Sequence, residues 1–261
     1  MNLELENRIA VVTGSSTGIG NAIAMELASQ RCHIVVHGRE PSEHIDQTLA
    51  RLKDRGVEAT AIFGDFSQGT DWNEFVASAW GWKGRVDIWV NNAGGDVLTG
   101  PWADRTLAEK LAYLIQTDVT SSLMLSRSVG AMMVAENVQG SIVNIGWDQA
   151  MQGMAGDSGE LFATTKGAVM AMTRSLAQSL APQVRVNCVA PGWIKTQWGE
   201  QASDDWQRRA VADSLMRRWG RPEDVASAVA FLASSKSNFI TGHTIPVNGG
   251  FRHDKSPLKD H

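Results

Sequence analysis

From residue 9 onward, short β-branched runs alternate with longer amphipathic segments, and this alternation most restricts what the chain can become. Strands are predicted over 9–13, 33–37, 58–63, 86–90, 141–145, 184–188 and 243–247. Helices are predicted over 18–29, 42–55, 71–80, 107–133, 160–180 and 222–233, with a polar, helical-looking stretch over 204–218. Strand and helix in strict alternation build parallel βαβ units with right-handed crossovers, so the expected architecture is α/β: a doubly wound parallel sheet of about seven strands, helices on both faces. With 261 residues, 43% of them hydrophobic, and no shift in composition, one domain over 1–251 is expected. The Lys- and Asp-rich tail, 252–261, is expected to be weakly ordered.

The first strand runs into Thr13-Gly14-Ser15-Ser16-Thr17-Gly18-Ile19-Gly20. Glycines between a strand and a helix let the backbone turn tightly and approach a phosphate held at the helix N-terminus. The same residues spell Gly-x-Ser-x-Gly through Ser16, the nucleophile elbow of an α/β hydrolase. That elbow belongs well into a chain rather than at its first strand, and only His243 and the tail histidines follow far downstream.

Further matches occur at the other strand ends. They are Gly64-Asp65-Phe66, Asn91-Asn92-Ala93-Gly94, Lys166 on the fifth long helix, Arg185 through Ala190-Pro191-Gly192, Ile194 with Thr196, Arg221-Pro222-Glu223-Asp224, and Val247-Asn248-Gly249-Gly250. With the glycine loop, these make the chain resemble the short-chain dehydrogenase/reductase family to about Phe251, its 3-oxoacyl-[acyl-carrier-protein] reductase-like members most of all. The resemblance implies a Rossmann-type sheet and a nicotinamide dinucleotide on Gly14, Ser16, Thr17, Gly18, Ile19 and Gly20. It implies Asp65 and Phe66 near the adenine, Asn91, Asn92, Ala93 and Gly94 along the adenosine side, Pro191, Gly192, Ile194 and Thr196 at the nicotinamide, and Lys166 on the nicotinamide ribose. It further implies a lid near 193–218, a small-molecule or acyl-thioester substrate, and a homotetramer.

The second strand ends in Gly38-Arg39. No carboxylate stands there to bond a ribose 2′-hydroxyl, and a guanidinium can fork onto a 2′-phosphate, so NADP(H) is favoured over NAD(H).

The family's chemistry rests on a tyrosine that donates a proton, a lysine, a serine and an asparagine. Here the tyrosine position reads Phe162, the serine position Trp147 (Gly146 if the register slips by one), and the asparagine position Asp118. Tyr113 is the only tyrosine in the chain. Lys166 alone is retained, and a Lys166–Asp118 pair would make it a weaker acid. Asp148, Asp157 and Glu160 are candidate replacement acids if burial raises a pKa toward neutrality. Ten tryptophans is an unusual number; Trp147, Trp193, Trp198, Trp206 and Trp219 fall where the family borders its substrate, so their rings line a pocket or pack core and lid.

A net charge of −4 gives no basic stripe for nucleic acid or an anionic membrane. The acidic N-terminus and the absence of a long apolar run predict a cytoplasmic protein. Cys32 and Cys188 read as reduced core thiols. His33 and His37, four residues apart on a strand, stand about 13 Å apart and cannot share a metal ion, so no metal site is expected. Three functions remain open: an NADP(H)-linked oxidoreductase with a relocated acid, a silent NADP(H)-binding subunit assembled with an active homologue, and a non-redox proton-transfer enzyme.

Overall fold

The computed structural model describes residues 3–252, leaving residues 253–261 of the tail, and the Trp198 side chain, outside the described residues. Seven strands form one sheet in the order β3-β2-β1-β4-β5-β6-β7, and every neighbouring pair is parallel. They are β1 (Ile9–Val12), β2 (His33–Gly38), β3 (Ala59–Phe63), β4 (Ile88–Asn91), β5 (Gly140–Ile145), β6 (Val184–Pro191) and β7 (Thr244–Val247). The central strands are buried along their whole length, which is why they read as continuous Val- and Ile-rich runs rather than alternating ones.

One face of the sheet packs on α1 (Gly18–Ser29), α2 (Glu43–Asp54) and α10 (Pro222–Ala233), through Ile23, Leu27, Leu52 and Val229. The other packs on α3 (Trp72–Gly81), α5 (Ser121–Ala135) and α7 (Asp157–Leu180), through Phe75, Trp89, Leu125 and Leu176. The strand order reverses direction between β1 and β4, so a crevice opens at their C-terminal ends, where ligands bind in sheets of this kind.

Three elements differ from the sequence expectation. The helix expected over 107–133 is α4 (Leu107–Leu114), a π-helical turn (Ile115–Thr120) and α5. The widened turn carries Asp118, whose carboxylate faces inward rather than to solvent, and such π turns recur where a side chain is re-aimed at a site. α7 begins at Asp157, three residues early, after a short α6 (Gln149–Gln152). In the stretch over 204–218 only α9 (Asp204–Asp213) is helical, following α8 (Gln197–Gln201). Ser214 leaves the helix because it bridges Phe251, and the Leu215 and Met216 amides donate to Gly250 and Gly249. Backbone pairing with the C-terminal segment thus overrides the helical pattern.

Cys32 and Cys188 are buried and free, and burial pushes both thiols up to about 12, leaving them inert. Among the described residues no helix is long and apolar enough to cross a membrane.

Candidate active site

The glycine loop is held by what lies beneath it. Gly14 and Gly18 have φ of +62° and +57°, a region glycine enters without steric penalty. A Cβ on Gly20 would lie 2.2 Å from the Gly14 carbonyl and 2.4 Å from the Asn92 amide, so Gly20 supports the loop from below rather than facing the crevice. Asn92 donates to the carbonyls of Thr13 and Gly14 (3.0 and 2.9 Å), tying the loop to the end of β4. Thr17 caps α1 with no side-chain bond, and the first turn carries no acid. The positive end of that helix is thereby left for an anion.

Two cavities flank this loop and meet at Asn92 and Gly94, which line both. The first, about 550 Å³, is walled by Gly14, Ser16, Thr17, Arg39, Asp65, Phe66 and Ala93. The second, about 460 Å³, is lined by Ile19, Asp118, Trp147, Phe162, Lys166, Pro191, Gly192, Ile194 and Thr196, together with Trp193 and Trp206. An extended dinucleotide fits this arrangement: a helix N-terminus without a resident acid, an exposed arginine beside the first cavity, and a second cavity continuous with it.

Asn91, expected on the adenosine side, is not there. It is only 3% exposed, and it accepts from Trp89 Nε1 (2.8 Å) while donating to Asn144 and Ser126 (both 2.8 Å). Strand alternation turns its side chain into the core and leaves Asn92 to face the crevice.

His37, missed from sequence because it was weighed only as a metal ligand, bridges the loop and β3. Its Nδ1 accepts from the Gly14 amide (3.0 Å) and Nε2 donates to the Gly64 carbonyl (3.0 Å), while the ring stacks on Phe66 at 4.5 Å. Burial lowers its pKa to about 4 and keeps the ring neutral, as the bond from Gly14 requires. With both nitrogens engaged by backbone, His37 cannot serve Ser16 as a base, which removes the support for a hydrolase elbow. The signal in the sequence was its place at a strand end opposite the glycine loop.

At the second cavity Lys166 Nζ and Asp118 Oδ2 form an ion pair at 2.9 Å, with side chains 15% and 1% exposed. Asp118 Oδ1 also accepts from the Gly95 amide (2.7 Å) and Thr117 Oγ1 (2.9 Å). Phe162 lies one helical turn before Lys166 on the same face of α7, and its ring meets Trp147 edge-on with centroids 6.1 Å apart. Ser158 and Met154, not singled out from sequence, complete the wall.

The three candidate replacement acids are elsewhere. Asp157 and Glu160 are exposed on the first turn of α7, where acids suit the helix dipole. Asp148 is 2% exposed and does not line the cavity; its carboxylate accepts from Asn248 Nδ2 at 3.0 Å. Burial raises its pKa from 3.8 to about 6. The native state therefore binds the extra proton between those values, and the favourable contribution present below pH 3.8 is lost as pH rises through 6. Asp148→Asn keeps an oxygen for Asn248 and removes the charge. It is expected to leave stability unchanged near pH 4 and to raise it by up to about 3 kcal/mol at pH 7.5, read as the difference in melting temperature at the two pH values.

A parallel doubly wound sheet, a glycine loop at its switch point and a lysine-bearing cavity alongside define a Rossmann-type dinucleotide-binding protein. The sequence comparisons carry this further. The model of a family described as enoyl-(acyl carrier protein) reductase matches residues 14–252. The 3-oxoacyl-[acyl-carrier-protein] reductase FabG of Staphylococcus epidermidis is 32% identical over 246 residues, covering 94% of this chain and 98% of the relative. A 3-oxoacyl (acyl-carrier-protein) reductase of Agrobacterium tumefaciens C58, solved with NADP bound, superimposes with a TM-score of 0.84 at 31% identity, over 94% of this chain and 95% of that one. A 7α-hydroxysteroid dehydrogenase, solved with NADH and 7-oxo glycochenodeoxycholic acid, gives 0.86 at 27% identity, over 98% of each chain. The chain belongs to the short-chain dehydrogenase/reductase family of oxidoreductases.

Proposed function

We propose that this protein is an NADP(H)-dependent oxidoreductase that works without a tyrosine acid, on a small-molecule substrate held in the aromatic cavity. The observation that carries the reading is the convergence of Lys166, Ile194 and Thr196 on a cavity continuous with the glycine-loop crevice. The dinucleotide, when bound, supplies a hydride. Arg39 would meet a 2′-phosphate, Asp65 and Phe66 the adenine side, and Pro191, Gly192, Ile194 and Thr196 the nicotinamide.

The residues at the family's tyrosine and serine positions carry no transferable proton. Phe162 has none, and the Trp147 indole N–H donates a hydrogen bond but does not ionise in this range. Lys166 is held in an ion pair with Asp118 at 2.9 Å. A carbonyl substrate such as a 3-oxoacyl thioester, suggested by the relatives named 3-oxoacyl-[acyl-carrier-protein] reductase, would then draw its proton from water. Its reduction would be slower by about 10²–10⁴ than with a positioned acid.

Titration calorimetry with NADPH and NADH tests the cofactor. Arg39→Ala is expected to weaken NADPH by about 10–100-fold, the worth of a charged hydrogen bond to phosphate, and to leave NADH within about twofold. Equal losses for both would assign Arg39 to solubility. Oxidation of NADPH followed at 340 nm with 3-oxoacyl thioesters and activated ketones tests the chemistry.

We further propose a homotetramer built on α5 and α7, since α5 leaves Met124 and Val134 exposed at 39% and 48%. A second reading, an NADP(H)-binding subunit without turnover paired with an active homologue, draws on the absent acid and predicts cofactor binding without oxidation. A non-redox proton-transfer enzyme has less support, because Asp148, Asp157 and Glu160 all lie off the cavity wall.

A further inference from the structure

The walls of the aromatic cavity favour a particular charge on whatever is reduced there. Trp147 and Phe162 meet edge to face on the α7 side. Trp193 and Trp206, which line the same cavity, lie with centroids 5.3 Å apart. These two rings already take a cation within the fold: the Arg209 guanidinium carbon stands 5.0 Å from the Trp206 centroid and 5.8 Å from that of Trp193, while Arg209 Nε pairs with Asp213 at 3.4 Å. Indole faces attract cations through the ring quadrupole, more strongly as water is excluded.

The cavity's other charges cancel. Lys166 and Asp118 neutralise one another at 2.9 Å, and the remaining polar lining comes from Asn92, Ser158 and Thr196. With Arg209 paired to Asp213 and Lys166 to Asp118, the wall carries no net charge, and Phe162 and Trp147 offer it no acid. A carbonyl that accepts hydride becomes an alkoxide and must be protonated. An iminium carbon that accepts hydride needs nothing further: the new C–H bond forms, the C=N π pair withdraws onto nitrogen as a lone pair, and the cation leaves as a neutral amine. The hydride, which carries both electrons, would come from the reduced nicotinamide, which is thereby oxidised.

We propose that the substrate is a cationic C=N compound, a cyclic or N-alkylated iminium with apolar flanks, reduced to a tertiary or secondary amine. This rests on the reading of the cavity as the hydride-transfer site.

The test uses the full chain with NADPH and a matched pair of acceptors, N-methyl-3,4-dihydroisoquinolinium and α-tetralone, followed at 340 nm between pH 6 and 9. The iminium is expected to be reduced with saturation, faster than in protein-free solution and without pH dependence, at a kcat/KM about 100-fold or more above that of the ketone. Calorimetry supplies a readout independent of turnover. N-methylisoquinolinium is expected to bind about tenfold more tightly than isoquinoline, which is neutral at pH 8, and Trp206→Leu to erase most of that difference. Tetralone reduced as efficiently as the iminium would overturn the inference and leave the hydride-transfer reading standing, as would equal binding of the charged and neutral rings. NADPH that binds but reduces neither acceptor would overturn both.

Discussion

Phe162→Tyr is expected to raise the rate of ketone reduction by about 10²–10⁴, the contribution of a positioned general acid. Phe162 lines the cavity one turn before Lys166, and its ring edge is turned to Trp147. A hydroxyl added at the para position therefore enters the space where a substrate oxygen would lie, with the Lys166 ammonium nearby to stabilise the phenolate. Asp118 limits that help, because its carboxylate holds the ammonium at 2.9 Å. The single variant is expected near the lower end of the range, and Phe162→Tyr with Asp118→Asn above it. Single-turnover NADPH oxidation with α-tetralone measures both. If neither variant gains while NADPH still binds, Phe162 does not stand where a proton donor would reach the substrate oxygen.

The second large effect is on stability. Lys166→Met leaves Asp118 charged and 1% exposed without its counterion, and stranding one partner of a buried pair costs about 3–5 kcal/mol. The bonds from Gly95 and Thr117 persist, which places the loss near the lower figure and the fall in melting temperature at about 6–12 °C. Adding Asp118→Asn removes the stranded charge and is expected to recover most of the loss. Thermal unfolding of the wild type, both single variants and the double variant closes the cycle. A double variant no more stable than Lys166→Met would show that the lysine acts through packing rather than charge.

The two variants address one piece of architecture. The π-helical turn over Ile115–Thr120 brings Asp118 inward, Asp118 holds the Gly95 amide beyond β4, and the same carboxylate fixes Lys166 on α7. One buried anion thus joins the loop after β4 to the helix that carries Phe162. This joint keeps the cavity in shape and fixes where the Lys166 ammonium sits.

The parallel sheet and the glycine loop at the end of its first strand were legible in the sequence because both are written in local signals; the strand order came only with the structure. Runs such as Ile9–Val12 and Gly140–Ile145 are short, rich in β-branched residues and bounded by turn signals, which together favour buried strands. The glycines of residues 14–20 mark where backbone must pass close to Ala93 and Asn92. That Tyr113 is the only tyrosine and that Phe162 stands four residues before Lys166 were equally plain, being matters of residue identity. What the sequence left undecided were directions and partners. Whether Asn91 or Asn92 faces the crevice depends on how β4 packs, whether residues 214–218 stay helical depends on pairing with Phe251, and whether Asp148 or Glu160 reaches a substrate depends on where α6 and α7 begin. The Lys166–Asp118 pair, 48 positions apart, was anticipated only through the family resemblance, and His37 bridging Gly14 and Gly64 was not anticipated; both are contacts between segments distant in the chain. No local propensity encodes such pairs: each exists because burial strips water from a polar group, and the fold then supplies the partner that replaces it.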